Sequence, residues 1–156
     1  MLGGWVFSGI TTFETGLPQN VTWNGADTLG LGGGTTNRPD LVGSVSGPKT
    51  QKEWFNTAAF APPVAPWNGG GNNGFGSSGR NDVRGPGLNN WNLSLFKSFA
   101  LTESQATRFE LRLETYNTFN HTQFSGLDLG ATDGNFGQVT SANDPRVLQF
   151  GGKFLF

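Results

Sequence analysis

The chain has no cysteine, a single histidine, a single methionine and a single tyrosine, and only 13% of its 156 residues are charged. Without cysteine, disulfides, thiolate nucleophiles and most structural zinc sites are removed together; neither the cytoplasm nor the envelope is thereby excluded. His121, between Asn120 and Thr122, has no second His or Cys at ligand spacing, so it is expected as a turn residue and no metal site is expected. The charged fraction lies far below the roughly 25% of an average soluble domain. A net charge of −1 with no basic patch argues against nucleic acid as a partner. Apolar residues total 35%, too little for a large dry core. No run approaches the roughly 18 apolar residues of a membrane-spanning helix. MLGGWVFSGI lacks a basic start and a small-residue cleavage site, so it is not a signal peptide. A location outside the cytoplasm would on this reading require an earlier beginning. No nucleophile–base–acid set is present for a hydrolase, and the pairs Asp128 with Asp133 and Asp40 with Glu53 are too loosely placed for acid–base chemistry. No enzyme activity and no cofactor are expected.

What the chain does have is 25 Gly, 8 Pro, 14 Phe and 5 Trp, with period-two alternation in four places. In the stretch from Arg108 to Tyr116, Phe109, Leu111, Leu113 and Thr115 alternate with Arg108, Glu110, Arg112, Glu114 and Tyr116. That is the pattern of a β-strand with one apolar and one polar face; a helix would scatter the apolar set in steps of about 200°. NTFNHTQF (117–124) then ends the strand in a loop. Residues 4–15 set Trp5, Phe7, Gly9, Thr11 and Phe13 against Val6, Ser8, Ile10, Thr12 and Glu14. Residues 90–100 set Trp91, Leu93, Leu95 and Phe99 against Asn92, Ser94 and Ser98, with Lys97 among the apolar set and Phe96 among the polar one. A lysine near a strand end can snorkel towards headgroups. Residues 146–156 alternate Leu148, Phe150, Gly152, Phe154 and Phe156 with Val147, Gln149, Gly151, Lys153 and Leu155. Four strands are therefore expected, at about 4–15, 90–100, 107–117 and 146–156, each close to the roughly 9–11 residues that cross a bilayer when tilted.

Between the first two strands, residues 16–89 hold 16 of the 25 Gly and 7 of the 8 Pro, in runs such as GLGGG (30–34), APPVAP (61–66) and NGGGNNGFGSSG (68–79). A connection of this length without regular structure usually marks a functional or mobile loop. Ordered islands are expected at NRPDLVG (37–43) and at EWFNTAAF (53–60), the latter as one helical turn. Trp23, Trp54, Phe55, Phe60 and Trp67 are expected to pack the loop onto itself. LTESQAT (101–107) is a short turn, and 118–145 is a second long loop. Long, short, long is the connection pattern of outer-membrane barrels, with short periplasmic turns and longer external loops. The glycine runs have neither the Gly-Lys-Ser/Thr ending nor the helix of a phosphate loop, and DGNFGQ (133–138) lacks the acidic series of a calcium loop. Asn-X-Ser/Thr triplets at Asn20, Asn92 and Asn120 are discounted as glycosylation sites, because Asn92 lies inside an expected membrane strand.

On this architecture Arg108, Glu110, Arg112 and Glu114, with Lys153 on the last strand, form a lumen-facing charged surface. They are expected as a cross-strand ion-pair ladder, with Glu110 facing Lys153 at about 0.2–1 kcal/mol per pair, rather than as a contact to substrate or plug. Aromatics at strand ends, Trp5, Phe13, Trp91, Phe99, Phe109, Phe154 and Phe156, are expected as lipid-interface girdles.

NRPDLVG (37–43), WFNTAAF (54–60), GSSGRNDVRGPGLNNWNLSLFKSFAL (76–101), RFELRLETYNTFNHTQF (108–124) and DPRVLQFGGKFLF (144–156) follow one another in an order and spacing that resembles the C-terminal end of the Oar-like TonB-dependent receptors, the type that carries a carboxypeptidase-regulatory-like domain. The likeness covers nearly the whole chain, with Tyr116 standing where that family usually has Phe. It implies a transmembrane β-barrel of the Gram-negative outer membrane, handling or importing a large ligand with a plug domain and the TonB machinery. Such a receptor has a 22-stranded barrel with a plugged lumen, so the chain corresponds to its last four strands with long Gly/Pro-rich external loops, a fragment not active alone. The resemblance also implies its partners: the rest of the barrel and the plug, outer-membrane lipid, the TonB system through absent N-terminal parts, and the barrel-assembly machinery, for which Phe156 resembles the terminal aromatic signal. The alternative of a different class is a secreted β-sandwich that binds glycans through Trp23, Trp54 and Trp67.

Overall fold

A computed structural model describes residues 3–27, 38–69, 74–102 and 107–156. The GLGGG run, Asn37, residues 70–73 of the second glycine run and residues 103–106 of the short turn lie outside the described residues. In chain order the strands are β1 (Trp5–Glu14), β2 (Pro18–Gln19), β3 (Asp40–Leu41), β4 (Phe60–Ala61), β5 (Val83–Arg84), β6 (Leu88–Ala100), β7 (Arg108–Tyr116), β8 (Phe124–Leu127), β9 (Val139–Ala142) and β10 (Val147–Leu155). Short 3-10 turns cover Thr57–Ala59 and Pro66–Asn68. The chain divides into two compact units: one made of residues 1–14, 88–123 and 143–156, the other of residues 15–87 and 124–142.

The first unit is a four-stranded antiparallel meander in the order β1-β6-β7-β10, so the fold is all-β. Each long strand occupies a stretch where the side chains alternate, because only the period of two puts a continuous apolar set on one side of a pleated sheet. β6 begins at Leu88, two residues before the alternation does, since Leu88 and Asn89 pair with Glu14 and Phe13. The register turns four separate alternations into two faces. Phe7, Leu95, Leu113 and Phe150 form one row of the apolar face, and Gly9, Leu93, Thr115 and Leu148 the next. Val6, Phe96, Arg112 and Gly151 share a row of the opposite face, beside Ser98, Glu110 and Lys153. Leu101 N–H donates to Thr107 O at 2.9 Å where β6 turns into β7.

The second unit corrects the expectation of long connections without regular structure. The described residues of 15–87 and 124–142 fold together around Val21, Phe55 and Val83, all nearly inaccessible to solvent. Phe55, Phe60 and Phe136 pack edge to face in a closed triangle, with centroids 5.3–5.8 Å apart, the geometry that ring quadrupoles favour. The helical turn expected within 53–60 is the 3-10 turn Thr57–Ala59, started by the Asn56 side chain, which accepts from Ala58 N–H at 3.2 Å. Glycine is required at Gly47, where a Cβ would collide with the backbone of Phe55. Asp40 accepts from the backbone N–H groups of Ser77 at 2.7 Å and Val64 at 3.3 Å, which ties together segments far apart in sequence. Among the described residues, aromatic side chains thus fill the centre of this unit and the Asp40 carboxylate satisfies part of its backbone.

Candidate functional site

Alternation along β7 places Arg108, Glu110, Arg112 and Glu114 on one side of the sheet, and the β10 register sets Lys153 directly opposite Glu110. The structure therefore brings all five charged residues to one face. The expected Glu110–Lys153 ion pair is not formed among the described residues. Pairing runs along the strand instead: Arg108 Nε contacts Glu110 Oε1 at 3.0 Å, and Arg112 contacts Glu114 at 3.7 Å. Residues two apart on a strand share a face at about 6.8 Å, within reach of an arginine, and with its carboxylate held by Arg108, Glu110 leaves Lys153 exposed. Both pairs keep an accessible arginine, so each contributes little, roughly 0–1 kcal/mol.

Phe96, out of place in the sequence pattern, lies opposite Arg112 with the guanidinium 5.8 Å from its ring centre. Together Phe96, Glu110, Arg112, Glu114, Gln149 and Lys153 border an open depression of about 340 Å³. Its floor is kept low by Gly151, which lies opposite Arg112 on this face. Alternating charges with one ring, accessible from one side, make an open polar surface rather than an enclosed pocket.

On the other face the aromatics divide between the two ends of the sheet. Phe99, Phe109 and Phe154 share one register row, with Trp5 in the row beside it. Phe13 and Trp91 stand at the far end, edge to face at 5.7 Å, and Trp91 also packs Phe119 at 5.6 Å. From Trp91 to Phe99 is eight residues, about 27 Å along a strand, or about 21 Å of height at a membrane tilt of about 40°, so the two rings fall just inside the edges of an apolar band about 25 Å tall. Phe156 follows the last strand, almost fully exposed and 6.0 Å from the ring of Phe154. Lys97 occupies the row of Trp5. It is 7% exposed, with its ammonium 4.5 Å from the Trp5 ring centre and 5.2 Å from that of Phe99.

Residues 117–123, anticipated only as a loop, form a hydrogen-bonded knot at the end of the sheet opposite the 101–107 turn. Asn117 and Asn120 adopt φ of +50° and +52°, a left-handed conformation that asparagine tolerates. Buried Asn117 closes on His121 twice: its Oδ1 accepts from His121 N–H and its Nδ2 donates to His121 O, each at 3.0 Å. Its own N–H donates to Asn92 Oδ1 at 3.0 Å. Buried Gln123 satisfies both backbone groups of Asn89, accepting from its N–H at 2.9 Å and donating to its carbonyl. Thr118 N–H and hydroxyl both reach Trp91 O at 2.8 Å, and Arg146 N–H donates to Asn120 Oδ1 at 3.1 Å. One segment thus joins the start of β6, the end of β7 and the approach to β10. An unpartnered buried polar group costs about 1–3 kcal/mol, which explains a fully amide-lined joint. His121 is part of that joint; its Nδ1 lies 2.9 Å from Gln123 Nε2. The available signal was two asparagines three apart, followed by a glutamine, at a strand end.

The three tryptophans of the glycan alternative do not form one exposed platform. Trp54 packs Phe124 edge to face and donates from Nε1 to Arg84 O at 2.9 Å, whereas Trp67 is exposed and Trp23 partly buried.

Among known proteins, the family model described as an outer membrane beta barrel domain matches residues 1–149. No curated protein and no solved structure matches.

Proposed function

The chain belongs to the outer membrane beta barrel domain family, proteins of the cell outer membrane, and on that premise we propose that it supplies four consecutive strands of a TonB-dependent receptor that takes up a large ligand. The observation that carries this reading is the two-faced sheet. Its apolar side has aromatics at both ends, its opposite side is charged, and among the described residues β1 and β10 each present an unpaired edge in the sheet order. A backbone edge in hydrocarbon costs several kcal/mol per unpaired group, so further barrel strands are the fitting partners for both edges. The resemblance of the NRPDLVG-to-terminal-Phe series to the Oar-like receptors supports the narrower assignment. On this reading Arg108, Glu110, Arg112, Glu114 and Lys153 face the lumen and its plug. The connections β1–β6 and β7–β10 leave from the same end of the sheet and form the external surface. The role is transport and scaffolding rather than catalysis.

The reading frame around Met1 tests this directly. An in-frame upstream continuation with further alternating strands, a plug and a TonB box is expected; a signal peptide immediately upstream, with no additional strands, would overturn the receptor reading. Phe156 is assigned to recognition by the barrel-assembly machinery, as its exposure beyond β10 permits. Deleting Phe156 from the receptor is expected to lower its insertion into the outer membrane. Unchanged insertion would remove that role and leave Phe156 as a girdle residue.

A further inference from the structure

The most unusual charge in the sheet is Lys97, which register places on the apolar face rather than the charged one. Among the described residues no carboxylate shares that face: Glu14, Glu110 and Glu114 all alternate to the opposite side. Among the described residues the positive charge is held by two ring faces, Trp5 at 4.5 Å and Phe99 at 5.2 Å. Cation–π contacts orient an ammonium and offset part of its desolvation, but they do not neutralise it. A charge left without a counter-ion in a low-dielectric setting is costly. Lys97 lies three residues from Ala100, the last residue of β6, about 10 Å along the strand. The neighbouring row is Phe99, Phe109 and Phe154, the level at which an aromatic belt meets lipid headgroups. The described residues of that face thus supply no anion, whereas the membrane at this level supplies lipid phosphates.

We infer that Lys97, clamped between Trp5 and Phe99, is a binding site for the phosphate of an anionic phospholipid in the leaflet on the side of the 101–107 turn. The rings hold the ammonium at one position instead of letting it sweep the interface, and the adjacent aromatic row packs the first methylenes of the acyl chains. The inference rests on the apolar face being the lipid-facing one, and its test separates the two. The full chain is incubated with phosphatidylcholine vesicles, with and without phosphatidylglycerol, and the bound fraction is measured for the wild type and for Lys97→Gln, Lys97→Arg and Lys153→Gln. Wild type is expected to prefer the anionic vesicles by roughly fivefold, the increment of one basic side chain at an anionic surface. Lys97→Gln is expected to lose this preference while still binding neutral vesicles. Lys97→Arg and Lys153→Gln, the second on the opposite face, are expected to keep it. A Lys97→Gln variant with the wild-type preference, or a wild type with none, overturns the phosphate site while leaving the lipid-facing reading intact. Failure of the wild type to bind either vesicle overturns the site, and the lipid-facing reading is then decided by substitution at Phe150 on the same face.

Discussion

Phe150→Arg is expected to destabilise the membrane-inserted sheet by about 2–4 kcal/mol, the cost of an arginine on the lipid face of a barrel near the bilayer midplane. Gln149→Arg, one residue away, is expected to change stability by no more than about 0.5 kcal/mol. Both residues are on β10 and both are solvent-accessible in the isolated chain, Phe150 at 71%. They differ in face: Phe150 pairs with Leu113 in the middle of the apolar side, and Gln149 with Glu114 on the charged side. In water, an arginine at so exposed a position would be nearly neutral in either place. A large difference between the two variants therefore reports hydrocarbon against the apolar face and nothing else. Urea unfolding from lipid vesicles provides the measurement. Equal effects of the two substitutions would show that this face does not contact lipid.

The long strands were legible because their side chains obey a period that local sequence carries by itself. Trp5, Phe7 and Phe13, or Leu111 and Leu113, announce a face without knowledge of any partner. Register was not local, and its consequences were correspondingly harder to foresee. Setting Glu110 opposite Lys153 was within reach of the sequence, whereas the choice of Arg108 as the actual partner depended on side-chain length and on competition for one carboxylate. Phe96 and Lys97 looked like two violations of alternation. They became intelligible only when the register put Arg112 beside the first and Trp5 beside the second. The knot at Asn117–Gln123 was hidden for another reason. Its hydrogen bonds join positions up to 34 residues apart, and asparagine, threonine and glutamine signal a turn equally well whether the turn is loose or fully bonded. The core of the second unit was partly visible, in Trp54, Phe55 and Phe60. Other members, among them Val21, Val83 and Phe136, come from segments that composition alone describes as loop.

That core supplies the other large expected effect. Phe55→Ala is expected to cost the second unit about 3–5 kcal/mol, the range for removing a fully buried phenylalanine and leaving a cavity. The reason is specific to Phe55. It is 1% exposed, it closes the ring triangle with Phe60 and Phe136, and Val21 and Val83 belong to the same buried cluster. The backbone around it is equally committed: Asn56 N–H donates to Val45 O at 3.1 Å, Trp54 N–H to Gly137 O at 2.8 Å, and Gly47 leaves no space for a shift. The cavity consequently has little scope to collapse, which places the cost towards the upper part of the range. Trp67→Ala, at a 71% exposed position of the same unit, is expected to stay within about 0.5 kcal/mol. Amide hydrogen exchange within residues 38–69 and 124–142 distinguishes the outcomes: protection should collapse in Phe55→Ala and persist in Trp67→Ala. Retained protection in Phe55→Ala would mean that these connections are ordered by something other than their aromatic centre. If protection is lost, the order of these segments depends on their packed aromatic centre, because glycine-rich segments keep their geometry only when the residues beneath them are fixed.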